Sequence, residues 1–159
     1  MDHLRPEVQG LWSPQWTPHH FTWLYFHDEA VSFAAGHRPC ALCRRTAYTA
    51  YRDLWAAALA VPPPSAKDMN RVLHSERIVR GTHRRRVHAL PWADLPDGTF
   101  VHVEKPAVVV GDAVVEWTHE GYGTRHRRPT AGTAHVITPP STVAVLRAGY
   151  PVQIDESAL

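Results

Sequence analysis

Apolar residues recur along this chain with two different periods, and the change between them divides it. From Cys40 to about Ala60, the positions Ala47, Tyr51, Leu54, Trp55, Ala58 and Leu59 repeat at three- and four-residue steps. That spacing collects them on one face of an amphipathic helix. Pro39 suits its first turn, and Pro62-Pro63-Pro64 stops it and makes a stiff linker. Ser65 then caps a further helix, with Asp68 three residues on, Met69, Val72 and Leu73 as its buried face and Gly81 at its end. Upstream, Phe21 to Phe26 is aromatic and predicts a strand. Asp28 caps a short helix over 29–35, which Gly36 closes in a left-handed turn.

After Leu90 the period shortens towards two. Pro96-Asp97-Gly98 signals a turn, and residues 99–104, 107–110, 113–118 and 133–138 read as strands. Gly111-Asp112 joins the second and third of these in a tight hairpin. Ser141 or Thr142 caps a last short helix through Ala148, ended by Gly149. Residues 1–20, rich in Pro, Trp and His, read as irregular chain pinned by Trp12 and Trp16. The expectation is an α+β fold: a helical N-terminal half built around a metal turn, then a small antiparallel sheet or partly open barrel. Three segments follow: 1–61, a Pro-rich linker with helix and basic stretch over 62–90, and a β-rich part over 91–159. No internal repeat is present.

Composition narrows the function classes. The 159 residues are 44% hydrophobic, enough for a core. A formal charge of +2 permits a nucleic-acid partner without demanding one. The N-terminus lacks the basic start and apolar run of a signal peptide, and no stretch of about 18 apolar residues exists. The chain therefore reads as soluble and cytoplasmic, with no membrane partner. Two close cysteines in such a chain point to metal or redox chemistry before a structural disulfide.

Those cysteines stand in Gly36-His37-Arg38-Pro39-Cys40-Ala41-Leu42-Cys43-Arg44-Arg45. Two thiolates at Cys-x-x-Cys spacing converge on one ion, and a tetrahedral zinc site needs two donors more. His37, His20 and His19 are the candidates, with His27 at a helix start as a further one. The bland alternative makes Cys40 and Cys43 small buried residues at a helix start.

The string over residues 12–50 resembles the N-terminal metal-binding domain of the Ada DNA-repair proteins. That domain has an aromatic strand, a Glu-Ala helix, then Ala-Gly-aromatic-Arg-Pro-Cys-x-x-Cys. The resemblance implies that Cys40 and Cys43 are half of a zinc site. The upstream cysteine pair of that domain, one of which accepts a methyl group, is replaced here by the stretch Trp12 to Trp16. Indoles neither ligate zinc nor take up a methyl group, so methyl transfer is not expected. The whole chain also resembles an uncharacterised bacterial family. Its members pair Arg-Pro-Cys-x-x-Cys-Arg-Arg with a Thr-Pro-Pro-Ser … Leu-Arg-Ala-Gly-Tyr segment, here Thr138 to Tyr150.

His27-Asp28-Glu29 with Pro39-Cys40-x-x-Cys43 also spells the zinc-deaminase letters His-x-Glu … Pro-Cys-x-x-Cys. Only nine residues separate Glu29 from Pro39, too few for the helix-strand-helix crossover such a site needs. A helix start explains the same letters.

Basic residues cluster in two places. Arg77, Arg80, Arg84, Arg85 and Arg86, interleaved with His74, His83 and His88, either track phosphates, joined by Arg44 and Arg45 beside the cysteine turn, or form a solvated charge run between domains. Tyr122 to Arg128 reads as a flexible basic loop between strands. Six tryptophans offer either core or a base-stacking platform. The leading expectation is a non-catalytic, zinc-stabilised nucleic-acid-associated protein, with Arg44, Arg45, Arg84, Arg85 and Arg86 on phosphate. The alternative is a small metal-dependent enzyme, with an open coordination position at Cys40, Cys43 and a histidine, and Glu29 as base.

Overall fold

The computed structural model describes Pro18 and residues 24–159. Trp12, Trp16, His19, His20 and the first half of the expected strand at 21–26 lie outside those residues. Its second half, Leu24 to Phe26, adopts no regular secondary structure.

Helix α1 spans Glu29–Ala34, and the Asp28 side chain caps it by accepting from the Val31 N–H. Helix α2 spans Arg45–Leu59, five residues shorter at its start than its apolar period suggested. The Cys-x-x-Cys residues form a turn instead, in which the Arg44 N–H reaches the Cys40 carbonyl at 3.0 Å. At the other end Ala60 turns left-handed, φ 51°, just ahead of the prolines. Helix α3 spans Ala66–Arg77, and Ser65 caps it by accepting from the Asp68 N–H.

Two expectations for α3 need correction. Val72 is 38% exposed, and Met69 and Leu73 alone make its buried face. Nor does Gly81 end the helix. Ile78 turns extended to bridge Arg85, and Gly81, at φ 77°, sits in the tight turn of the resulting hairpin over 78–86. Main-chain bonds from Val79 N to Arg84 O and from Arg86 N to Arg77 O close that hairpin.

Six strands follow: β1 His88–Pro91, β2 Phe100–His102, β3 Pro106–Val110, β4 Ala113–Thr118, β5 Gly121–Arg127 and β6 Thr133–Val136. They form one open antiparallel sheet in the order β1-β6-β2-β3-β4-β5. The α+β expectation holds at this level. The basic stretch 122–128 is not a loop but the edge strand β5, paired along β4. Charged side chains are common on such edges, because they discourage pairing with another chain. Arg128 ties the end of β5 to the chain beyond β1, donating to the carbonyls of Trp92 and Leu95.

Helix α4 spans Pro140–Arg147. Neither Ser141 nor Thr142 is its cap residue. Pro139 occupies that position and has no capping side chain. A carboxylate from α3 supplies the missing acceptor: Glu76 Oε2 takes hydrogen bonds from the Ser141 N–H and hydroxyl.

Alternation along β3 puts Ala107 and Val109 on one face and Val108 and Val110 on the other, all buried. The first face packs on Trp92 and Val143, the second on Ala30 and Ala34 of α1. A third cluster joins Phe33, Tyr51, Trp55, Met69 and Leu73 to Val145, Leu146 and Tyr150. Helix α4 therefore feeds two cores, and the third cluster draws on each of the three sequence segments. No helix among the described residues is long and apolar enough to cross a membrane.

Candidate functional site

The cysteine turn sits between α1 and α2. Cys40 is half-buried, Cys43 is exposed, and both are free thiols. The Leu42 N–H points at Cys40 Sγ, 3.4 Å away. Burial alone would raise the Cys40 thiol. The N–H groups of Cys43 and Leu42, the Cys43 side chain and the Arg38 charge outweigh it and hold the thiol below its ordinary value. Cys43 moves the other way, pushed up by burial and then by its bond to Cys40. Cys40 is thus the more acidic thiol of the two.

His37 stacks on Phe26, ring centres 5.1 Å apart. Burial, then the charges of Arg77 and Arg38, lower its pKa and favour the neutral imidazole. A neutral ring suits a metal, yet His37 does not join the two sulfurs. Among the described residues no three His, Cys, Asp or Glu side chains gather into a metal-holding group. The described residues thus supply two sulfur donors and no complete set. His19 and His20 lie outside them.

Glu29 is 4% exposed and fully engaged. Its Oε1 accepts from Tyr150 OH at 2.9 Å and pairs with Arg44 Nη1 at 2.8 Å. Its Oε2 accepts from the Gln153 N–H at 3.1 Å. Both oxygens accept hydrogen bonds and the carboxylate is shielded from solvent, as suits a group that holds the fold together. Arg44, expected on phosphate, is instead paired with this buried carboxylate, its own side chain 36% exposed.

The remaining arginines divide by what they already hold. Arg85 Nη1 donates to the Ala34 carbonyl at 3.1 Å, and Arg77 Nη1 to the Ala35 carbonyl at 2.8 Å. Together they satisfy the C-terminal carbonyls of α1, where positive charge also complements the helix dipole. Gly36 lets Arg77 lie there. A Cβ at Gly36 would come within 2.6 Å of Arg77 Cδ, and the residue's φ of 79° disfavours a side chain independently. Arg77 Nε is buried with no hydrogen-bond partner. Arg45, Arg84 and Arg86 are exposed.

Arg77 and Arg86 line a cleft of about 920 Å³ between α3 and the 78–86 hairpin. The helix contributes Arg71, His74 and Ser75, and the hairpin contributes Arg80, His83 and Arg86. Arg77 and Ile78 link the two walls, and Gly81 and Thr82 form the hairpin tip. No carboxylate is among the ten lining residues. The nearest recorded acidic partner is Asp68, 3.1 Å from Arg71, in a pair more than half exposed at both ends and so weak. Thr82 shapes the tip: its N–H and hydroxyl both donate to the Val79 carbonyl, and its hydroxyl accepts from the Arg84 N–H.

Arginine count alone flagged part of this cleft. The part played by Thr82 has no local signal, because it depends on the hairpin whose turn Gly81 occupies. The described tryptophans form no stacking platform there. Trp55 and Trp92 are buried in cores, and Trp117 packs on Phe100. On β5, Arg125 donates to the carbonyls of Ala158 and Leu159, and His126 binds Glu116. No protein-family model, curated protein or solved structure matches the chain.

Proposed function

We propose that this is a non-catalytic, nucleic-acid-associated protein that meets the phosphate backbone at the cleft between α3 and the 78–86 hairpin. One observation carries the reading: four arginines and two histidines line that cleft, no carboxylate is among its lining residues, and the one carboxylate paired with them, Asp68 on Arg71, is in an exposed and weak ion pair. Such a wall attracts polyanions, and each phosphate neutralised releases condensed counterions. Arg84, exposed on the same hairpin, adds to the positive surface.

A structural zinc on Cys40 and Cys43 belongs to the same proposal. It requires two further donors, for which His19 and His20 are the candidates by sequence. Nothing favours the enzymatic alternative, since both oxygens of Glu29 are engaged.

Fluorescence anisotropy with labelled DNA and RNA across a salt series tests the reading. Contact with about four phosphates gives a log–log salt slope of roughly −3. Absence of binding at low salt, or binding indifferent to salt, rejects it. Elemental analysis tests the ion separately. One zinc per chain supports it, while a metal-free chain with two alkylatable thiols removes zinc and leaves the cleft reading standing.

A further inference from the structure

Resting on that reading, we infer that the cleft between α3 and the 78–86 hairpin takes an unpaired nucleic-acid strand in preference to a duplex. The first ground is shape. Duplex readers present a protruding helix or ribbon to a groove about 12 Å wide. Here the positive charge lines a concavity. Its volume of about 920 Å³ is that of a pocket for a small ligand or a few linked nucleotides, commonly about 300–1,000 Å³. A double helix cannot enter it, whereas a single strand can lay its backbone along the floor.

The second ground is where the charges sit. Arg71 and His74 stand on one wall, and Arg80, His83 and Arg86 on the other. Arginines on both sides of the cleft can reach successive phosphates of one flexible strand. The regular phosphates of a rigid duplex would be engaged from one side only. The imidazoles of His74 and His83 present flat faces on which an unpaired base can stack.

The third ground is rigidity. Arg77, at the junction of the walls, is held by the Ala35 carbonyl and by its close fit over Gly36. The hairpin wall is fastened by its own main-chain bonds and by Thr82. A preformed cleft loses less ordering entropy when a flexible strand binds.

The test uses the full chain and a labelled 20-nucleotide single strand of mixed sequence, alongside its duplex with the complementary strand. The single strand should bind at least about tenfold tighter. Between 50 and 200 mM salt its affinity should fall by about 50-fold, as four neutralised phosphates imply. The Arg80→Ala, Arg86→Ala double variant should lose most of that affinity and reduce the salt slope by about 1.4. Both side chains are exposed, so the variant should melt with the parent, and a thermal scan checks this. Equal or tighter binding to duplex overturns the inference and leaves the broader reading intact. Single-strand binding that the double variant does not weaken also overturns it, because the contact then lies elsewhere. Failure to bind either probe at 50 mM salt defeats the broader reading itself.

Discussion

Glu76 of α3 caps α4, a helix that starts 64 residues later. Its Oε2 accepts from the Ser141 hydroxyl at 2.6 Å and from the Ser141 N–H at 3.2 Å. The main-chain carbonyl of the same residue meets His88 Nε2 at 2.8 Å, at the start of β1. One residue thus links the helical layer to both the sheet and the last helix. Glu76→Ala should destabilise the fold by about 1–3 kcal/mol, through loss of a charge-assisted cap. Glu76→Gln, which keeps one acceptor oxygen, should cost about half as much. Urea unfolding of both variants checks this, and a Glu76→Gln variant as stable as the parent would contradict a role for the charge.

Tyr51 and Thr142 make a second tie between the layers. Their hydroxyls lie 2.8 Å apart, and neither residue is exposed. Tyr51→Phe should cost about 1–2 kcal/mol, because it leaves the Thr142 hydroxyl without this partner in the core. Adding Thr142→Val removes that orphan, so the double variant should be more stable than the sum of the single costs allows. Strict additivity in denaturant melts would refute the bond.

Gly36→Ala should cost roughly 2–4 kcal/mol, combining the left-handed backbone with the collision against Arg77. In an Arg77→Ala background the collision is gone. The same glycine substitution should then cost only about 1–2 kcal/mol, the backbone share. An unchanged cost in that background would show that the close fit carries no energy.

Glu116 accepts from Lys105 Nζ at 2.9 Å and meets His126 Nε2 at 2.8 Å. These two bonds, Lys105's first, hold its carboxyl below the ordinary value of 4.5. The sign follows directly: the folded form binds this proton less readily than the unfolded form. The contribution is therefore present above pH 4.5 and is lost as pH falls through the depressed folded value. Carbon-detected NMR titration should find the carboxyl depressed, and Lys105→Met should move it upward. At this exposure the effect on overall stability should be slight.

Elements whose signals are local were readable in advance. Asp28 and Ser65 cap the helices that their side chains predict, and the Val-rich run of β3 and β4 with Gly111-Asp112 forms the expected hairpin. What failed depended on distant partners. Strand β5 is Gly-Tyr-Gly-Thr-Arg-His-Arg, with few apolar residues to betray a strand. It is held by pairing with β4 and by Arg125 and Arg128 reaching carbonyls elsewhere. Strand β1 is four residues long, ends in proline, and exists because β6 pairs with it.

The site divides the same way. Clustered arginines in sequence pointed to the cleft, because three of them, Arg77, Arg80 and Arg86, fall on its walls. Arg44 and Arg85 carry the same charge in the same stretches, yet their guanidinium groups are already held by Glu29 and the Ala34 carbonyl. Nothing in the local pattern separates the inward group from the outward one. A buried carboxylate and an uncapped helix end do, and both are set by the tertiary fold.

The clasp on Glu29 has a consequence for biosynthesis. Its hydroxyl donor, Tyr150, lies 121 residues further along the chain. At about 5–20 residues per second, a ribosome needs roughly 6–24 s to deliver it. During that interval the first helix has neither Tyr150 nor Gln153 to hold it. The nascent polypeptide must therefore keep this carboxylate hydrated, and its N-terminal layer can lock only after residue 153 has been made.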